Sequence, residues 1–191
     1  MSKKTAANPR DEAVLAALSL AAEKGWMAVT MGDIARRAGI KPVELHDIFE
    51  DRFDILAAFG RMLDRRVLAA IGEPDESSSE RDRLFEIMME RFDALNEHRD
   101  GVISIVDSFL PDPKQAVVSL PHLCRSMAWM LDAAGIPSGG MKGVVKIMGL
   151  TALYLKTLRT WREDESADMS RTMAELDKNL ASAESWATRL G

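Results

Sequence analysis

Apolar positions recur at helical spacing along the whole chain, and the residues between the runs read as helix starts and stops. Asn8 can cap a first helix, with Pro9 at its first position and Asp11 and Glu12 in its positive first turn. Val14, Leu15, Leu18 and Ala22 follow on one side, and Gly25 stops the run. Thr30 opens a short helix, with Asp33 completing a variant capping box, and Gly39 ends it. Pro42 starts a third short helix that runs to about Phe49. A longer amphipathic helix carries Phe53, Leu56, Phe59, Leu63 and Val67 and ends near Gly72.

The polar stretch 73–79 has no apolar residue and predicts a loop. Ser79 and Asp82 form another capping pair, and Leu84, Ile87, Met88, Phe92 and Leu95 make the next stripe. A shorter apolar helix is expected over 102–110, closed by Pro111 and Pro113. The helical stretch that follows, to Ala134, is expected to kink or split at Pro121, because proline removes a ladder donor. Gly135, Pro137, Gly139 and Gly140 form a break before two long helices, 141–162 and 167–188. The first is apolar nearly all round (Val144, Val145, Ile147, Met148, Leu150, Leu153, Leu155, Leu158), so it needs partners on two faces. The core supplies one, and a second subunit is the economical source of the other. The expected interface residues are Leu153, Leu158 and Trp161, with Met173, Leu176 and Leu180 of the last helix.

Composition narrows the picture. With 191 residues and 47% hydrophobic residues, a real core forms without staples. The net charge of -5 excludes a basic nucleic-acid tail but not a local basic patch. It is unevenly spread: residues 1–66 carry a net +1 and residues 67–191 a net -6. One cysteine, Cys124, precludes an internal disulfide or a cysteine-based zinc site. The lone thiol, the absence of a signal-like start and the absence of a long uncharged apolar run lead to the expectation of a cytoplasmic protein with no transmembrane segment.

Two short helices joined by a tight glycine-containing turn, with a helix before them, describe a helix-turn-helix. The core Ile34-Ala35-x-x-Ala38-Gly39-Ile40, with Leu45, Phe49 ten residues after the glycine and Arg52, Ile55 and Leu56 beyond, resembles the N-terminal domain of the TetR family of transcriptional regulators. The resemblance covers residues 10–56. It implies an all-α, TetR-like fold of about nine helices: a helix-turn-helix DNA-binding domain over 1–52, then a ligand-binding and dimerisation domain over 53–191. It implies a homodimer that binds a double-stranded DNA operator and is switched by a small hydrophobic ligand. Carried over by position, the DNA contacts come from Thr30, Lys41, Val43, Glu44 and His46, with Arg52 on a phosphate.

Three departures from the family pattern bear on that reading. Lys41 stands where a Ser or Thr cap is common, His46 where a phosphate-contacting Tyr is usual, and Ile48 where His or Tyr is frequent. The third helix and its exit also carry Glu44, Asp47, Glu50 and Asp51, which repel phosphates unless they point away. Lys3, Lys4 and Arg10 are candidates for an N-terminal arm on the DNA backbone. A second resemblance lies near the C-terminus. Trp161, Asp164, Ser166 and Thr172 look like the aromatic-x-x-Asp-x-Ser…Thr segment of the lipid-binding accessory proteins of ubiquinone biosynthesis. Those proteins share the fold without reading operators, which gives the alternative function.

No catalytic constellation, cofactor motif or metal set stands out, so a non-enzyme is expected. His46, His98 and His122 have no histidine or cysteine at ligand spacing. The methionine-rich second half offers an adaptable apolar pocket, with Met88, Met127, Met130 and Met148 as candidates and Phe109, Trp129 and Tyr154 completing its wall.

Overall fold

The structure is a computed structural model that describes residues 8–72, 77–109 and 113–190, with only the backbone described for 113–116 and 186–190. Lys3, Lys4, Leu110, Pro111 and part of the 73–79 loop lie outside the described residues. Among the described residues there are nine α-helices and no strand. They are α1 (Pro9–Lys24), α2 (Met31–Ala38), α3 (Pro42–Ile48), α4 (Arg52–Ala70), α5 (Glu80–Asn96), α6 (Arg99–Ser108), α7 (Pro113–Ala133), α8 (Gly140–Glu163) and α9 (Ser170–Leu190). A 3₁₀ turn, Trp26–Ala28, joins α1 to the segment before α2.

The caps follow the sequence. Asn8 Oδ1 accepts from the Arg10 amide at 3.1 Å, and Gly25 leaves α1 with φ of 81°. Ser79 Oγ accepts from the Asp82 amide at 3.1 Å at the start of α5. Of the kink or split expected at Pro121, the split does not occur: the residue lies inside the continuous α7. The last helix starts at Ser170, not 167, and side chains cap its first amide: Ser170 N donates to Ser166 Oγ (3.0 Å) and Asp168 Oδ1 (3.2 Å).

The helices group into two compact units. The first takes in the chain up to Leu63 together with Leu95–His122. The second takes in Asp64–Ala94 and the chain from Leu123 onward. Helices α4, α5 and α7 contribute residues to both.

In the first unit Val14, Leu18, Trp26, Ile34, Leu45, Phe49, Ile55, Val102 and Ile105 are buried. Helices as short as α2 and α3 are not stable alone in water. Burial of side chains such as Ile34, Leu45 and Phe49, each contributing about 1.5–3 kcal/mol, is what holds them. Helix α1 packs on α2 and on α6. Its approach to α6 is so close that a Cβ at Gly101 would overlap the Leu18 carbonyl. Ser104 Oγ of α6 also accepts from the Trp26 amide at 2.8 Å.

In the second unit Leu84, Ile87, Met88, Phe92, Met127, Met130, Leu150, Tyr154, Trp161 and Leu176 form the core. Phe92 stacks on Tyr154 with centroids 5.5 Å apart. Helices α8 and α9 pack together, and a ladder of polar groups crosses between them. Asn179 accepts from Lys156 Nζ at 2.6 Å and donates to Thr157 Oγ1 at 3.2 Å. No helix among the described residues is long and apolar enough to cross a membrane. Among them no group of three or more His, Cys, Asp or Glu side chains is placed to hold a metal ion.

Candidate nucleic-acid interface

The Thr30 hydroxyl starts α2. Its Oγ1 accepts from the Asp33 amide at 3.1 Å, while Asp33 Oδ2 accepts from the Thr30 amide at 3.2 Å and hydroxyl at 2.6 Å. Asp33 Oδ2 also pairs with Lys24 at 2.6 Å, and its Oδ1 with Arg36 at 3.3 Å. The Lys24 hydrogen bond and those from Thr30 hold the Asp33 carboxyl well below the usual carboxylate range. Gly39 then turns the chain in the left-handed region (φ 68°), and Ile40 N donates back to Ala35 O at 3.0 Å. Only residues 39–41 separate α2 from α3, so the two short helices form the helix-turn-helix.

Helix α3 buries Leu45 and, just past its end, Phe49. Lys41 supplies no side-chain cap, as its lack of an acceptor dictates; instead Glu44 Oε2 reaches back to the Lys41 amide at 3.4 Å. At about 100° per residue, His46, Val43, Asp47 and Glu44 follow one another around one arc of α3, with Val43 and Asp47 only about 40° apart and the two carboxylates at the acidic flank. All four are exposed, Val43 at 64%. The acidic flank lines a shallow cleft of about 460 Å³ with Pro9 and Glu12 of α1 and Ala38, Gly39, Ile40 and Ile48. Asp51 Oδ1 accepts from the Phe53 (2.7 Å) and Asp54 (3.0 Å) amides at the start of α4.

The cations of this unit are mostly engaged. Arg37 grips Glu23 with two hydrogen bonds (2.7 and 2.6 Å) and Ser19 with a third. That fork pulls the Glu23 pKa down and pushes the Arg37 pKa up. Arg10 lies over the Phe49 ring at 4.8 Å. Arg52 was expected on a phosphate. Its Nη1 donates to the Trp26 and Val29 carbonyls, both at 3.0 Å, and its guanidinium lies 5.5 Å from the Trp26 ring centroid. Arg52 thus ties α4 to the 3₁₀ turn, with that nitrogen turned inward. Lys41 has no ion-pair partner among the described residues and stays exposed.

The expected pocket residues separate. Met88, Met127, Met130 and Tyr154 are buried in the second unit. Trp129 and Met148 are surface residues, 56% and 52% exposed. Phe109 belongs to the first unit. Three residues that the sequence reading missed accompany the buried four: Arg91, Asp64 and Ser126. Arg91 is 2% exposed; its Nη1 donates to Asp64 Oδ1 at 2.6 Å, and its guanidinium lies 5.4 Å from the Tyr154 centroid. Ser126 Oγ donates to the same Asp64 oxygen at 2.5 Å. Burial alone would lower the Arg91 pKa, but Tyr154 and Asp64 outweigh it and hold the cation above its usual value. A signal for Arg91 existed: it interrupts the stripe Leu84, Met88, Leu95 at a core-facing position.

The expected interface residues are mostly internal. Leu153, Leu158, Trp161, Leu176 and Leu180 are at most 9% exposed within one protomer, and of the six only Met173, at 43%, presents surface. Helices α8 and α9 pack together, and Trp161 also meets Phe92 of α5 with ring centroids 6.5 Å apart. Met141, Val145, Met148, Ala152 and Leu155 instead make an exposed stripe on α8 with alternating spacings of four and three.

The Trp161…Thr172 segment also acquires a plain structural role. The Asp164 carboxylate, 2% exposed, accepts from the Ser166 amide (3.1 Å) and hydroxyl (2.5 Å) and from the Thr172 amide and hydroxyl (both 2.8 Å). Burial works to raise its pKa, but these hydrogen bonds win and hold it well below the usual carboxylate range. The motif closes the α8–α9 connection.

No curated protein matches the sequence. Residues 14–59 match the bacterial regulatory proteins of the tetR family. Among solved structures, the TetR transcriptional regulator from Nitrosomonas europaea is 25% identical, with a TM-score of 0.74 over 93% of this chain and 98% of that one. Salmonella enterica GusR is 21% identical, with a TM-score of 0.63 over 95% of this chain and 98% of that one. Thermus thermophilus FadR, a TetR-family repressor solved with lauroyl-CoA, is 20% identical, with a TM-score of 0.57 over 90% and 91%. Residues 14–59 thus match the tetR-type helix-turn-helix, and the chain around it has a TetR-like fold.

Proposed function

We propose that the protein is a homodimeric transcriptional regulator that binds an operator through α3 and is switched by a small hydrophobic ligand in the second unit. The observation that carries this reading is the exposed face of α3 with Val43 and His46, beside Lys41, which has no ion-pair partner among the described residues. An exposed valine at a helix start suits a thymine methyl in the major groove, and Lys41 and His46 suit phosphates. Thr30 and the amides at the start of α2 suit a further phosphate. Glu44 and Asp47 line the cleft beside α1; Asp47, one turn after Val43, works against phosphates near that residue. Arg52 orders the head and makes no DNA contact in this reading.

Dimerisation runs through the exposed α8 stripe, whose spacing is that of a helix–helix seam. Half-sites one turn apart on one DNA face are roughly 34 Å apart. A ligand that binds one head spacing more tightly than another is then sufficient for switching. Met88, Met127, Met130 and Tyr154 are the proposed ligand contacts. FadR, with its lauroyl-CoA, is one instance of an acyl ligand on this fold. The protein acts by binding and not as an enzyme. The alternative, a lipid-binding accessory protein of ubiquinone biosynthesis, rests on the acidic residues of α3 and on the Trp161…Thr172 segment, whose Asp164 also has a structural use in the α8–α9 connection.

The test is fluorescence anisotropy of the dimer on the DNA upstream of its own gene, as a function of salt. Specific binding that weakens steeply with salt is expected. Lys41→Ala should reduce the log–log salt slope by about one. Val43→Glu should abolish specific binding. Binding that ignores both salt and sequence would sink the reading, and lipid co-purifying with a protein that binds no DNA would favour the alternative.

A further inference from the structure

A guanidinium has five N–H donors and grips a carboxylate best through two parallel bonds. Arg91 lies in the core of the second unit and holds Asp64 by a single bond from Nη1. Its Nε is buried and has no hydrogen-bond partner. Leaving a buried donor unmade is costly, and a buried ion pair is weak evidence of a purely stabilising role. The donor also stands among adaptable neighbours. Met88, one turn before Arg91 on α5, and Met127 and Met130, beside and one turn after Ser126 on α7, are fully buried. Methionine side chains repack readily around an inserted molecule. Ser126 and Tyr154 add two hydroxyls to the same polar island.

We propose that Arg91 is the anchor for the charged end of an amphipathic carboxylic acid, whose apolar tail lies among Met88, Met127 and Met130. The acid's two oxygens take Nε and an Nη of Arg91, and Asp64 is the internal carboxylate that holds the guanidinium in its absence. Asp64 therefore competes with the ligand. This rests on the reading of the second unit as a ligand-binding unit and names the ligand's chemical class.

The test is calorimetric titration of the full-length protein with sodium octanoate, octan-1-ol and octylamine. Octanoate should bind saturably, and at least about tenfold more tightly than the alcohol or the amine. Arg91→Met should weaken octanoate by at least about tenfold and leave octanol unchanged. Asp64→Asn, which removes the competing charge at nearly constant volume, should tighten octanoate. Equal affinity for octanoate and octanol, no saturable octanoate binding, or weaker octanoate binding in Asp64→Asn would each overturn the proposal. If Arg91→Met does not fold, the wild-type selectivity and the Asp64→Asn shift decide alone. Operator binding is measured on the same preparation. Operator binding without octanoate binding overturns this proposal only; octanoate binding without operator binding sustains it and overturns the regulator reading.

Discussion

The two units differ in where they hold charge. In the first, ion pairs lie at the surface: the Arg37 and Glu23 side chains are 40% and 54% exposed, and those of Lys24 and Asp33 are 37% and 19% exposed. Water and salt screen such pairs, so they orient α2 on α1 more than they stabilise it. The second unit has surface pairs too, such as Lys156–Glu175, but it also holds charge inside: the Arg91 and Asp64 side chains are 3% and 14% exposed, and Asp164 is almost fully buried. Breaking a buried arrangement strands groups that water cannot reach. The first unit should therefore depend on apolar contact and close backbone approach, and the second on a few buried polar side chains.

The sharpest test of that contrast is Asp164→Ala. It leaves the Thr172 amide and hydroxyl buried without their acceptor and should cost about 3 kcal/mol. For a chain of this size that is a fall in Tm of roughly 6–12 °C, read by circular dichroism. A loss below about 1 kcal/mol would break the contrast.

The next effect is acid sensitivity. The folded Asp164 carboxyl titrates below its unfolded value, so its contribution is complete above about pH 4 and is lost as the pH falls toward the folded value. Urea titrations between pH 5 and pH 2 should show the wild type weakening more steeply than Asp164→Asn. Parallel curves would assign the acid response to other carboxylates.

Gly101→Ala probes the first unit. Glycine to alanine inside a helix ordinarily stabilises by about 1 kcal/mol. Here the new methyl meets the Leu18 carbonyl, and a net loss of about 2 kcal/mol is expected. Gly60→Ala in α4, where nothing lies within 4 Å, should show the ordinary gain. Chemical denaturation of both variants reads the sign directly, and gains in both would remove the close approach from the account. The smallest effect is Thr30→Ala, about 1 kcal/mol from a lost helix cap, visible as a modest shift in the denaturation midpoint.

The helix-turn-helix was legible because its signals are local. Thr30 with Asp33, Gly39 and Pro42 each act within one turn of the residue that carries them. Arg52 was not, because the two carbonyls it binds carry no sequence signature. The all-round apolar pattern of α8 announced two packed faces without saying which is buried within the chain; Leu153, Leu158 and Trp161 are on the buried one. The pocket residues were chosen by type alone, and type cannot separate the surface Trp129 and Met148 from the buried Met127 and Met130. Arg91 was skipped because a charge in an apolar stripe reads as an interruption until its partners are known.

The contact between Gly101 and Leu18 also decides how portable the reading head is. Helix α1 presses on α6 with no side chain between them at that point, and the Trp26 amide hangs on Ser104. A single cut after Arg52 would lift out α1–α3 and strip α1 of that cover. Grafting this head onto another sensor therefore requires two splices, so that residues 95–122 travel with it, and a chimera made with one junction will carry an exposed apolar face where α6 used to lie.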